Sequence, residues 1–275
     1  MPVIIEFSRC IGTYSSAKFE NLIKSFRTKF KLSQKSLCRG LCSTSALSRY
    51  ERDERFPEKI VAESLLERLG IDTNQIEFIT TDKELFLDNL ICKMNGSIYD
   101  KNLHNQYLLD FHNGIRNCNK LYRQLFLLKK IEQDNSYNQS CILQALSITD
   151  CPPNIMEKFL YTTTELELMI RYEHYNQEEL LKIYRYTKDN RRSNIMSSIR
   201  LKVLLQLDQL TPNKYTKMIM VEMKNDYNLR ELITYFDRKA EGDWSFLAKL
   251  LKESNHGMLN IGGKDTWGSI ENLIF

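Results

Sequence analysis

The sequence predicts an all-α protein with two domains. Only 10 of the 275 residues are Gly and 5 are Pro, which is too few for a turn-rich β fold. Apolar residues recur instead at the three- and four-residue spacing that buries one face of a helix. A chain of 275 residues also exceeds what one small core usually organises, so we expect two domains, each with its own core.

Positive charge is concentrated at the N-terminus. Residues 1–70 hold 13 Lys and Arg against 8 Asp and Glu, whereas the remaining 205 residues hold 26 against 27. A local basic excess is typical of nucleic-acid-binding domains, because cationic side chains that neutralise phosphates release condensed counterions. Many solvated faces are basic too, so charge alone does not decide the function.

Two short helices are predicted behind a longer first one. Apolar residues from Phe19 to Phe30 follow the helical period, and Ser33 is a suitable N-cap for a second helix that begins at Gln34. The polar run 43–45 caps a third helix, whose apolar stripe consists of Leu47 and Tyr50.

A fourth helix is predicted to open at Pro57 and to close at Gly70, a usual residue just beyond a helix end. Two short helices joined by a tight turn and braced by a first helix form the unit whose second member enters the DNA major groove. The pattern therefore predicts a DNA-binding domain.

The run from residue 19 to residue 71 resembles the lambda-repressor-like, or XRE-type, helix-turn-helix family. The marks are Leu32-Ser33-Gln34, Leu47-Ser48-Arg49-Tyr50-Glu51, Pro57 and Leu69-Gly70. The resemblance implies an ion pair between Arg27 of helix one and Glu51 of helix three. The turn Gly40-Leu41-Cys42-Ser43 is similar to that of peptide-responsive regulators of the Rgg and PlcR type. In that class the C-terminal helices form a groove for a short peptide and hold a homodimer together.

Seven residues are the candidates for DNA contacts: Gln34, Ser43, Thr44, Ser45, Ser48, Arg49 and Arg52. Hydroxyl and amide groups bond phosphates or base edges, and arginines are attracted to phosphates. The alternative for the hydroxyl residues is that they only cap a helix. The alternative for Gln34 is that it is an exposed first residue of the second helix with no DNA contact. Lys29, Lys31, Lys35 and Arg55 are expected to add to the positive field.

The residues after the DNA-binding domain predict a connector and a second helical domain. The polar, β-branched stretch 72–82 is the expected linker, and residues 83–275 are the expected regulatory and dimerisation domain. Apolar stripes run through 155–173, 178–187, 195–210, 215–224 and 229–236, and brief loops between helices suggest an α-solenoid similar to tetratricopeptide proteins. Candidate ligand contacts, chosen by composition, are Asn113, Asn117, Asn119, Tyr122 and Arg123. Solvated helix surface is the alternative for each of them.

Other function classes find little support in the sequence. Seven irregularly spaced cysteines and no signal peptide predict reduced thiols in a cytoplasmic protein, although Cys38 and Cys42 leave a redox pair or half a zinc site open. No metal, cofactor or membrane contact is expected, and Gly262-Gly263-Lys264 lacks the spacing of a phosphate loop.

The sequence therefore predicts a regulator rather than an enzyme. Its partners would be an operator in double-stranded DNA, a second copy of the chain and a short signalling peptide or other small ligand. An interaction module or antitoxin-like protein with a degenerate helix-turn-helix is one alternative, and an enzyme whose site is assembled from residues of the helical domain is the other.

Overall fold

A computed structural model describes residues 19–71, 73, 76, 81–97, 100–134, 139–156, 159–172, 176–188, 196–212, 214–215 and 218–219. The backbone divides into two compact units, residues 1–199 and 200–275. The regular elements of the described ranges are eleven α-helices, which confirms the predicted fold class. None of these helices is both long and apolar enough to cross a bilayer.

The N-terminal helices match the predicted elements closely. They are α1 (Phe19–Lys29), α2 (Gln34–Cys38), α3 (Thr44–Tyr50) and α4 (Lys59–Leu69). The longer series that follows is α5 (Asp82–Gly96), α6 (Lys101–Gly114), α7 (Lys120–Asp134), α8 (Gln139–Ser147), α9 (Thr163–Tyr172), α10 (Gln177–Thr187) and α11 (Ser197–Leu210). Successive helices from α5 to α10 pack on one another, which is compatible with the expected solenoid.

Short-range signals set the ends of the first helices. The Ser33 hydroxyl accepts from the Ser36 amide at 3.0 Å, and the Ser43 hydroxyl accepts from the Ala46 amide at 3.1 Å. Gly70 ends α4 in the left-handed region with φ 78°. α4 begins two residues after Pro57, at Lys59, whose backbone amide donates to the Glu84 carboxylate of α5 at 2.8 Å.

The predicted stripe 155–173 is helical only in its second half. α9 begins at Thr163, where a capping box marks its start. The Glu165 amide donates to the Thr162 hydroxyl at 3.2 Å, and the Thr162 amide donates to the Glu165 carboxylate at 2.7 Å. The residues before it face the core without helical backbone: Phe159, Leu160 and Tyr161 are buried and lie outside any helix.

The core of α1 to α4 extends into later parts of the chain. The first buried cluster joins Ile23, Leu47 and Leu65 to Leu121 of α7 and to Leu160 ahead of α9. A second cluster, built on Leu87, Met94 and Phe111, fills the space between α5, α6 and α7. Apolar burial thus links the first four helices to the helices behind them.

A fully buried ion pair connects α4 to α9. The Arg68 guanidinium donates to the Glu165 carboxylate at 3.0 Å, and neither side chain is exposed to solvent. The same guanidinium donates to the backbone carbonyls of Leu37, at 3.0 Å, and Arg39, at 2.5 Å, at the end of α2. Arg68 therefore holds α2, α4 and α9 together.

The neighbouring residue of α4 makes a second link to α9. The Glu67 carboxylate accepts from the Thr163 amide at 3.0 Å and from the Thr163 hydroxyl at 2.9 Å. These bonds satisfy groups in the first turn of α9 that have no partner within the helix. The start of α9 is thus linked to α4 twice: Glu165 pairs with Arg68, and Thr163 donates to Glu67.

The turn between α2 and α3 also packs closely against the later helices. Gly40 lies in the left-handed region with φ 71°, and a Cβ atom built there would sit 1.7 Å from the Thr149 carbonyl oxygen. Because Thr149 follows directly on α8, the close approach requires a glycine at this turn for steric as well as conformational reasons.

We expect Gly40→Ala to destabilise the full chain by at least about 2 kcal/mol, since alanine adds a left-handed backbone penalty and a steric overlap. Urea unfolding followed by circular dichroism measures the change. Gly96→Ala is the matched control, because a Cβ at this helical glycine meets nothing within 4 Å and should be neutral or stabilising. Equal midpoints for the two variants would contradict the close packing.

Several sequence-based expectations lie outside the described residues. They include most of the linker 72–82, the stripe 229–236 and most of the stripe 215–224. Helix α8, for which no apolar stripe was predicted, is described and contributes buried Ile142, Ala145 and Leu146.

Candidate nucleic-acid interface

Helix α3 presents one face to the core and another to solvent. Leu47 and Tyr50 are buried in the first cluster. Thr44, Ser45 and Arg49 are exposed, and their side chains make no hydrogen bond or ion pair with the described residues. The exposed groups therefore keep their full capacity to bond a partner.

Helix α2 lies against α3 through its own buried face. Leu37, Cys38 and Leu41 belong to the first cluster, and Cys42 packs against it from the turn. A hydrogen bond from Cys42 lowers the pKa of Cys38 to about 7. The six described cysteines are free thiols, as the sequence predicted.

A charged network joins α1, α2 and the end of α3. Arg27 Nε donates to Glu51 Oε1 at 2.5 Å, and a second guanidinium nitrogen donates to Glu51 Oε2 at 2.9 Å. This bidentate geometry confirms the expected ion pair. The Gln34 amide nitrogen also donates to Glu51, at 2.8 Å, so the carboxylate orients the first residue of α2.

The network shifts the titration of its members in the directions that the geometry requires. The Glu51 hydrogen bond raises the pKa of Arg27 above its ordinary value. Burial alone would raise the pKa of Glu51, but the hydrogen bonds from Arg27 and Gln34 outweigh it and hold that pKa below 4.5. Glu51 is therefore charged at neutral pH, and its negative charge holds Arg27 of α1 and Gln34 of α2 against the end of α3.

Comparison with protein-family models identifies this region. Residues 23–76 match the family described as Helix-turn-helix. These residues form an XRE-type helix-turn-helix domain. Neither the curated proteins nor the solved structures contain a match to the chain.

Within the helix-turn-helix domain, the sequence-predicted contact residues differ in how free they are. Thr44, Ser45 and Arg49 are exposed. Ser43 is committed as the α3 cap but keeps its hydroxyl proton for a partner. Gln34 uses one of its two side-chain amide N–H groups in a hydrogen bond to Glu51, and the other is left for a partner.

Two further candidates beside these are less free. Ser48 is half-buried. Arg52 is exposed but pairs with the neighbouring Glu54 at 2.8 Å. The exposed, unpaired group is thus centred on the first turn of α3 and on Arg49.

The predicted ligand contacts do not share one surface. Asn113 and Arg123 are exposed, and Asn117 adopts a positive φ of 63° in the loop between α6 and α7. The Asn119 side-chain oxygen Oδ1 accepts from the Leu121 backbone amide at 3.1 Å. Tyr122 instead points inward, is 2 % exposed and lies edge-on to Phe111.

Sequence reasoning missed the residues that hold the domain against the later helices. Arg68, Glu67 and Glu165 are charged residues that a helical pattern assigns to solvent, yet Arg68 and Glu165 are fully buried. The available signal was the sequence Thr162-Thr163-Thr164-Glu165, a capping box that predicts a helix start and a fixed glutamate.

We expect Glu51→Gln to destabilise the chain by about 2 kcal/mol at pH 7, because an arginine loses its buried charged partner. Since the folded-state pKa of Glu51 lies below the ordinary 4.5, its stabilising effect is complete above that pH and is lost as the pH falls through the folded-state value. The difference between wild type and variant should shrink accordingly in urea unfolding between pH 7 and pH 3.

Glu54→Gln serves as the control for this experiment. Glu54 forms an exposed ion pair with Arg52, so its loss should change stability by less than about 0.5 kcal/mol. A Glu51→Gln penalty that is the same at pH 3 and pH 7 would show that the charge of Glu51 does not contribute.

Proposed function

We propose that the protein is a sequence-specific DNA-binding regulator of transcription in which α3 enters the major groove. The observation that carries the proposal is the exposed face of α3 within a helix-turn-helix domain. Its inner face and cap are occupied internally, whereas Thr44, Ser45 and Arg49 keep unused donors and acceptors. Such groups at the start of a recognition helix bond base edges and phosphates.

Charge and geometry around α3 support this placement. Lys29, Lys31, Lys35 and Arg55 are exposed on the same domain and add to an attractive field for phosphates. Glu51, the acid closest in sequence to the exposed turn of α3, is neutralised by Arg27. The remaining amide proton of Gln34, held in place by Glu51, is suited to a phosphate oxygen.

The experiment that tests the proposal is selection of genomic fragments by the purified full chain, followed by titration of the selected site in increasing salt. We expect Ser45→Ala and Arg49→Ala each to weaken that site by about 5- to 100-fold, which is the range of one lost base or phosphate contact. If Arg49 contacts a phosphate, its removal should also reduce the salt slope by about 0.9.

Arg185→Ala is the control, because Arg185 is an exposed arginine on α10. It should leave both affinity and slope unchanged. Weak binding that ignores sequence, or equal losses in all three variants, would contradict the proposal and favour an interaction module with a degenerate helix-turn-helix.

A homodimer and a peptide effector complete the proposal. One helix-turn-helix covers a short half-site, and proteins of this kind commonly read two half-sites related by two-fold symmetry. A two-fold symmetric selected site would support the dimer, and a monomeric mass on that site would contradict it. Sensing of a short peptide by the later helices rests on the resemblance to the Rgg and PlcR type.

A further inference from the structure

A small acidic cavity lies where α4 meets the later helices. Its volume is about 110 Å³, and its walls come from α4, α5, α7 and the start of α9. Three carboxylates line it: Glu63 and Glu67 from α4 and Asp88 from α5. The cavity therefore occupies the joint between the helix-turn-helix domain and the helices behind it.

Negative charge in this cavity is only partly neutralised. Lys59 pairs with Asp88 at 2.5 Å and approaches Glu63 at 3.6 Å. Glu67 accepts hydrogen bonds from Thr163 but has no ion pair among the described residues. Burial, together with Asp88 and Glu67, raises the pKa of Glu63 to about 7 despite Lys59, and burial raises the pKa of Glu67 as well. A cation placed here would stabilise the charged forms.

An unused hydroxyl group adds a second, independent observation. Tyr122 of α7 lines the same cavity and is 2 % exposed, and its hydroxyl group has no hydrogen-bond partner among the described residues. Burial raises the pKa of the Tyr122 hydroxyl group, and nearby carboxylates, including those of Asp88 and Glu63, raise it further. A buried hydroxyl without a partner costs free energy, and an N–H donor bound beside these carboxylates would supply the missing bond.

The rest of the lining is apolar. Ile60, Ile91, Leu121 and Leu125 line the cavity between its polar groups. An engineered apolar cavity of about 150 Å³ in another protein binds benzene, so a volume of about 110 Å³ suits a molecule of about four to six heavy atoms. Carboxylates beside aliphatic walls fit an ammonium group on a short alkyl chain.

We propose that this cavity is a binding site for a small aliphatic ammonium ion, held by the carboxylates of Glu63, Glu67 and Asp88 and by the hydroxyl group of Tyr122. Binding would add a cation where α4 contacts α5, α7 and α9. The site is separate from the exposed face of α3, and of the ligand contacts expected from the sequence it uses only Tyr122.

The test is calorimetric titration of the full chain with 1,4-diaminobutane in phosphate buffer at pH 8, which lies above the pKa of about 7 for Glu63 and contains no competing buffer amine. We expect saturable binding of one equivalent, and none with 1-butanol, a neutral alcohol with the same four-carbon chain. Glu63→Gln should weaken binding at least tenfold and Tyr122→Phe by several-fold. Both variants should fold, since the Glu63 side chain is one-third exposed and the Tyr122 hydroxyl group has no hydrogen-bond partner among the described residues.

Glu178→Gln is the control for nonspecific attraction, because Glu178 is an acid on α10 whose side chain is 80 % exposed. It should bind the diamine like wild type. Absence of saturable binding, binding of 1-butanol with equal affinity, or an unchanged affinity in Glu63→Gln would each overturn the proposal. No DNA is present in the assay, so its outcome is independent of operator binding.

Discussion

The buried ion pair between Arg68 and Glu165 is the contact on which the arrangement of the N-terminal half depends. Two charges without solvent exposure persist only when hydrogen bonds replace the lost water. Arg68 obtains them from Glu165 and from two carbonyls at the end of α2, and its guanidinium lies 5.6 Å from the ring centroid of Phe159. Removing either charge would leave the other buried without compensation.

This contact has a direct consequence for how α3 is presented. The carbonyls of Leu37 and Arg39 end α2, and Gly40 of the following turn touches Thr149. The turn that sets the angle between α2 and α3 is therefore fixed by residues far along the chain. The later segment that touches this turn can therefore influence the angle between α2 and α3 through packing alone, because packed cores have discrete arrangements rather than continuous ones.

The helix ends could be predicted from the sequence, because they are set by residues only a few positions apart in the chain. Ser33 and Ser43 cap helices through amides three residues ahead, and Gly70 ends α4 where a positive φ is required. The Arg27–Glu51 pair was predicted because the resemblance supplied a contact across 24 residues. The exposed face of α3 followed from the buried positions of Leu47 and Tyr50.

The contacts between distant segments were not readable in the same way. Arg68 and Glu165 are 97 residues apart, and no local pattern distinguishes a charge that is buried with a partner from one that is solvated. The sequence placed Gly40 in the turn between α2 and α3, but its close approach to Thr149 depends on the folded path of α8. The cavity lined by Glu63 and Tyr122 likewise exists only once α4, α5 and α7 meet.

We expect the helix-turn-helix domain and the helices from α7 to α9 to unfold as one cooperative structure joined at Arg68. Native-state hydrogen exchange of amides in α4 and α9, measured against denaturant in wild type and Glu165→Gln, tests it most directly. We expect the slowest amides of both helices to exchange with the same opening free energy, and the substitution to lower both equally. Amides of α4 that open at a lower free energy, unaffected by Glu165→Gln, would contradict the claim.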